Sequence, residues 1–111
     1  MLAVGKHHPR VEGVQKATGS YVYTSDISLP RMLYGKFKRS QSPHAKIVHI
    51  DTSRAKKMNG VVAVLTGADL SYNFGIYLND EPFIARDKVR YCGEPVVAVS
   101  ATSTEIAAEA V

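Results

Sequence analysis

Apolar and basic residues alternate from Met32 to Arg39, with Leu33 and Phe37 on one face of an extended chain and Lys36 and Lys38 on the other. This predicts a strand with one wet face. Ser40-Gln41-Ser42-Pro43 carries turn chemistry and residues 45–50 return as a second extended segment, so a hairpin-like connection is expected. Asp51, Thr52 and Ser53 offer oxygens to cap a two-turn helix on which Ala55 and Met58 share a face, and Asn59-Gly60 supplies a left-handed exit. The run at 61–65 is short and rich in β-branched residues and reads as a buried strand, giving the order strand, helix, strand. Residues 71–80 show no sustained period and read as a loop that can hold a short extended piece. Residues 88–92 alternate, Gly93-Glu94-Pro95 makes a turn and 96–99 reads as another buried strand, so a second hairpin is expected.

Thr102-Ser103-Thr104-Glu105 matches a capping box with Thr102 as the cap, and Ile106, Ala107, Ala110 and Val111 then form one helical stripe with Glu105 and Glu109 off it. The stripe stops at its second turn without Gly or a basic last turn. The expectation is a helix cut short, an excised domain whose exposed apolar stripe favours self-association.

A length of 111 residues allows one domain, 1–111, with no internal repeat or Gly/Ser linker to divide it. The 45% hydrophobic and 22% charged content is that of a globular chain and excludes disorder. The apolar runs at 60–65 and 95–99 fall far short of the ~20 residues that cross a bilayer. Met1-Leu2-Ala3-Val4-Gly5-Lys6 lacks the basic and long apolar segments of a secretory signal, so a cytoplasmic setting is expected. The single cysteine, Cys92, forms no intramolecular disulfide and fits a reducing compartment.

Candidate chemistry is sparse. His7 and His8 are adjacent, and His44 and His49 would point to opposite faces of an extended chain, so no metal site is assigned. Cys92, between an aromatic residue and a glycine, reads as a small buried hydrophobe rather than a nucleophile served by His44. Ser40, Ser42 and Ser100 lack a Gly-x-Ser-x-Gly elbow, and Asp80, Glu81 and Glu94 read as solvated charges. The glycines are scattered and form no dinucleotide or phosphate loop. Catalytic, cofactor-binding and metal-binding residues are therefore all expected to be absent. The net charge of +4 and the set Lys36, Lys38, Arg39, Lys46, Arg54, Lys56 and Lys57, with Tyr34 and Tyr91, leave one alternative: a stand-alone basic module binding single-stranded nucleic acid. A solvated strand face explains the same residues.

Taken in order, Lys16-Ala17-Thr18-Gly19, Tyr23-Thr24-Ser25-Asp26, Met32-Leu33-Tyr34-Gly35, Arg39-Ser40 and His44-Ala45-Lys46-Ile47 resemble the start of the molybdenum-binding large subunit of the xanthine dehydrogenase and aldehyde oxidase family. Ile50-Asp51-Thr52-Ser53-Arg54-Ala55, the run Gly60 to Thr66 and Val89-Arg90-Tyr91-Cys92-Gly93-Glu94-Pro95-Val96 resemble later parts of that family's α/β hammerhead domain. Gln41 stands where relatives often carry proline and Glu12 where many carry aspartate.

The resemblance implies an α+β fold, the α/β hammerhead, with a mixed sheet and two or so helices. It implies a parent enzyme that inserts a water-derived oxygen at an aldehyde or N-heteroaromatic carbon, using molybdopterin with molybdenum and passing electrons to iron–sulfur and FAD partners. One branch runs the chemistry reductively on an aromatic thioester. The family's pterin loops and its base glutamate lie beyond this domain, and Glu94 is not that base. The role expected for this chain is architectural, in contact with the remaining domains of the molybdenum subunit and with the iron–sulfur and flavin components, and without a membrane partner.

Overall fold

The computed structural model describes residues 4–111, and the chain falls into two compact units, Met1–Pro30 and Arg31–Val111. Met1, Leu2 and Ala3, part of the segment read as lacking a secretory signal, lie outside the described residues. The first unit holds helix α1, Gly13–Thr18, and a turn of 3-10 helix at Thr24–Asp26. Gly19, with φ of +74°, ends α1 in the left-handed conformation that a Cβ disfavours. Lys16 reaches over the Tyr21 ring at 4.9 Å, and Tyr21 packs edge-on against Tyr23.

The second unit is organised on a three-stranded sheet of β1 (Tyr34–Arg39), β3 (Val61–Thr66) and β7 (Pro95–Ala101), in the order β1-β7-β3. Strand β2 (Ala45–Lys46) pairs with β6 (Lys88–Val89), and β4 (Asn73–Phe74) pairs with β5 (Glu81–Pro82). Helix α2 (Ser53–Lys56) precedes β3, and α3 (Thr104–Glu109) follows β7. A 3-10 turn at Gly67–Asp69 leaves β3, where Asp69 accepts hydrogen bonds from the Thr66 amide and hydroxyl, both at 2.7 Å. No helix among the described residues is long and apolar enough to cross a membrane.

The class is α+β, but the mixed sheet expected from the sequence is corrected: every strand pairing among the described residues is antiparallel. The described residues hold three short α-helices, in keeping with the few expected. Both hairpins are corrected as well. Strand β1 turns away from residues 45–50 and pairs with β7 from Tyr34 opposite Ala101 to Arg39 opposite Pro95. Residues 88–92 likewise pair with β2 rather than with 96–99. The reason lies in β7: at seven residues it is the longest strand, none of its residues is exposed, and it takes the central position with β1 on one edge and β3 on the other. Val99 and Ala101 are buried there.

Strand β3 forms where it was expected but as an edge, with Val64 buried while Val62 is 56% exposed. Only the first part of 45–50 is strand, extended by the Ile47 amide donating to the Asp87 carbonyl at 2.8 Å. The expected short extended piece within 71–80 is β4. Helix α2 is one turn rather than two, opened by the Asp51 carboxylate, which accepts from the Ser53 amide at 2.8 Å. Ala55 and Met58 are half-buried together.

Gly60 has φ of +89°, as the left-handed exit requires. Its carbonyl accepts from the Thr102 amide at 2.9 Å, and a Cβ placed on it would lie 2.6 Å from Cδ1 of Ile106. The close approach locks the entry of β3 to the start of α3. It also moves the helix cap one residue along from the sequence reading: Ser103, not Thr102, accepts from the Ile106 amide at 3.3 Å. The Thr102 hydroxyl lies by Gly60 instead, and Thr104 donates to the Glu105 carboxylate at 2.7 Å.

The α3 stripe does not stand exposed. Ala107 is buried and Ile106, Ala110 and Val111 are half-buried, with α3 packed on β1 and β7, while Glu105 and Glu109 face outward.

Candidate functional site at the Arg90–Glu94 turn

Strand β7 begins at Pro95, and the residue before it is the one buried charge of the described residues: Glu94, 4% exposed. Its carboxylate accepts from the Arg90 backbone amide and, at 3.0 Å, from the Arg90 guanidinium. The solvated Glu94 read from the sequence is corrected by this pairing. A carboxylate loses its hydration on burial, and two donors from one residue four positions earlier replace it. The Glu94 amide meanwhile donates to the Tyr91 carbonyl, closing the turn, and Gly93 takes φ of +95° within it.

This turn is bound to the segment that follows β1. Ser40 donates its amide to the Glu94 carbonyl at 2.9 Å and accepts from the Gly93 amide at 2.8 Å. Arg39 donates to the Gly93 carbonyl at 2.9 Å. Ser40 Oγ, at 3.0 Å, accepts from the Ser42 amide, so the hydroxyl shapes its own loop. Two loops far apart in sequence are thereby held as one rigid corner at the end of the sheet.

Cys92 lies on this corner and is exposed, which corrects its reading as a buried hydrophobe. Its thiol faces the Ser40 and Gln41 carbonyls at 3.7 and 3.6 Å, weak contacts at the rim of the turn. The turn geometry that buries Glu94 leaves the residue two positions earlier outside. A lone charge at the start of a buried strand was the only sequence signal for this corner, and it does not distinguish a solvated carboxylate from a paired one.

The other residues singled out from the sequence are placed apart. His7, His8, His44 and His49 are exposed, and no group of three or more His, Cys, Asp or Glu among the described residues is arranged to hold a metal ion. Asp80 and Glu81 are exposed on the β4–β5 arm. Ser100 is half-buried in β7 opposite Gly35. The basic residues divide among β1, β2 and the α2 region, and Arg39 is drawn onto Gly93. A groove of about 260 Å³ between α2 and the ends of β7 and α3 is lined by Ile50, Ala55, Val64, Val97, Ala110 and Val111 among others. Lys38, His49, Asp51 and Thr52 also line it, and the Asp51 carboxylate there is taken up by the Ser53 amide.

The family model for the aldehyde oxidase and xanthine dehydrogenase a/b hammerhead domain matches residues 18–111. The chain is 47% identical over 100 residues to a probable xanthine dehydrogenase subunit of Bacillus subtilis, covering 88% of this chain and 13% of that protein. It is 38% identical over 116 residues to the carbon monoxide dehydrogenase large chain of Afipia carboxidovorans, covering all of this chain and 14% of that one. Among solved structures, CO dehydrogenase from Oligotropha carboxidovorans matches with a TM-score of 0.88 at 39% identity, over 96% of this chain and 14% of that chain. Quinoline 2-oxidoreductase from Pseudomonas putida 86 matches with a TM-score of 0.86 at 34% identity, over 96% of this chain and 15% of that chain. The chain thus spans about one seventh of the length of these relatives, and the nucleic-acid reading gains no support from any of them. By the match over residues 18–111 and these identities, the chain belongs to the a/b hammerhead domain family of aldehyde oxidase and xanthine dehydrogenase.

Proposed function

We propose that the chain is the architectural hammerhead domain of a cytoplasmic molybdenum hydroxylase large subunit. Its parent would oxidise aldehydes or N-heteroaromatic compounds with water-derived oxygen. The observation that carries this reading is the pairing of Glu94 with Arg90 and of the 90–94 turn with Ser40. The polar groups of that corner are engaged in holding two loops together, which is the work of a scaffold. Relatives whose names include xanthine dehydrogenase, nicotinate dehydrogenase and nicotine 6-hydroxylase support the substrate class.

Molybdopterin with its molybdenum belongs to the proposed parent and is not fitted by the described residues of this chain. The buried carboxylate is taken by Arg90, and the exposed thiol of Cys92 faces main-chain carbonyls. The domain contributes walls and contacts, and iron–sulfur and flavin components act as further partners of the parent.

Metal analysis and turnover assays on the purified chain test the proposal. The expected result is no stoichiometric molybdenum and no oxidation of an aldehyde or a purine. Stoichiometric metal, or turnover by this chain alone, overturns the architectural role. An oligonucleotide titration at low salt supplies the second check, with saturable, salt-dependent binding favouring the basic-module alternative instead.

A further inference from the structure

Residues 71–79 carry no charge, and no Lys or Arg occurs between Lys57 and Arg86. Within that stretch β4 and β5 form a short antiparallel arm whose aromatic residues cluster: Phe74 lies tilted on Phe83 at 4.4 Å and Tyr72 meets Phe83 edge-on at 5.5 Å. Arg86 fastens its base by donating to the Tyr72 carbonyl at 2.7 Å. Beyond this cluster the tip presents Ile76 and Tyr77, each 93% exposed, and Leu78, 79% exposed. Asn79 holds φ of +49°, a conformation that turns the chain sharply back toward β5.

We propose that this arm is a docking element whose tip inserts into an apolar cleft on the remainder of the large subunit. The inference rests on the hammerhead reading above. Three observations select that occupant. Contiguous aliphatic and aromatic side chains at such exposure mark a surface that is covered in the working protein. The aromatic cluster and the Arg86 tie hold the base of the arm in shape before it binds, which lowers the ordering cost of docking. In the solved neighbours a fold of this kind is 13–15% of the chain, so the rest of the same polypeptide is the largest surface tethered within reach of it. A lipid surface is disfavoured, because Asp80 and Glu81 flank the tip and no cation accompanies them.

Hydrogen exchange on the peptide spanning 73–79, measured in the intact large subunit that carries this chain, tests the proposal. The amides of Ile76, Tyr77 and Leu78 are given no acceptor by the described residues, so the domain by itself predicts exchange at the free-chain rate. Docking predicts slowing by at least roughly tenfold. The double variant Ile76→Asp, Leu78→Asp is expected to lower the yield of assembled subunit while the isolated chain keeps its melting temperature. Free-chain exchange in the intact subunit overturns docking and leaves the hammerhead role standing. Absence of the chain from any molybdenum-containing subunit overturns both. Protection that appears with rising concentration of the isolated chain, or its co-sedimentation with phosphatidylcholine vesicles, assigns the tip to a second copy or to lipid and overturns the proposal.

Discussion

The Glu94 carboxylate is held twice by one residue, through the backbone amide and the guanidinium of Arg90. The two bonds differ in what removes them. Arg90→Ala deletes the guanidinium but keeps the amide, whereas Glu94→Ala deletes the acceptor of both. Glu94 is buried and Arg90 stays partly in water, so the guanidinium contact alone is screened.

Glu94→Ala is therefore expected to destabilise the chain by about 2 kcal/mol, and Arg90→Ala by about 1 kcal/mol or less. Urea denaturation of the two variants checks the order. Equal costs would mean that the amide contact contributes nothing.

Gly60 and Gly93 both have positive φ, yet their surroundings differ. A side chain at Gly60 meets Ile106 at 2.6 Å and the Thr102 hydroxyl at 2.9 Å, while a Cβ at Gly93 has nothing within 4 Å. Gly93→Val thus incurs backbone strain, on the order of 1 kcal/mol, and Gly60→Val adds the displacement of α3 for a total of about 3 kcal/mol. A denaturation midpoint unchanged by Gly60→Val would contradict the contact between the β3 entry and α3.

Asp69 is held below the ordinary carboxylate value by the Thr66 amide first and the Thr66 hydroxyl second. A carboxyl whose folded value is lowered contributes stability that is fully present above its unfolded value and is lost as pH falls through the folded one. The acid limb of the stability curve should steepen below the unperturbed value of 3.8. Asp69→Asn is expected to flatten that limb in thermal melts taken over an acid series, while the slope near neutral pH stays as it was.

Cys92 is exposed, and its thiol is restrained only by long contacts to two carbonyls. A thiol-specific chromogenic reagent should label the folded chain about as fast as the denatured one. Labelling that requires denaturant would return Cys92 to the interior.

The strands of the chain were legible because period-two alternation and β-branched runs are local properties: β1, β3 and β7 all lie where the residues place them. The glycine exit at Gly60 and the turn at Gly93 were legible for a similar reason, since a positive φ narrows the choice of residue. The family resemblance was carried by the order of short motifs over nearly the whole chain, and the match to residues 18–111 agrees with it.

Pairing was decided only in three dimensions. Strand β7 lies between β1 and β3, and β2 meets β6 across the chain, because ladder partners are selected by which apolar faces can be buried together. Adjacency in sequence favoured hairpins that the packing did not use. The same holds for Glu94 and Cys92, two residues apart. Residue type made the glutamate a solvated charge and the cysteine a buried one, but the turn places the carboxylate beneath Arg90 and the thiol outside. Burial is set by which neighbours the folded backbone brings within a hydrogen bond, and that information is spread over Ser40, Arg90 and Pro95 together rather than held by any one of them.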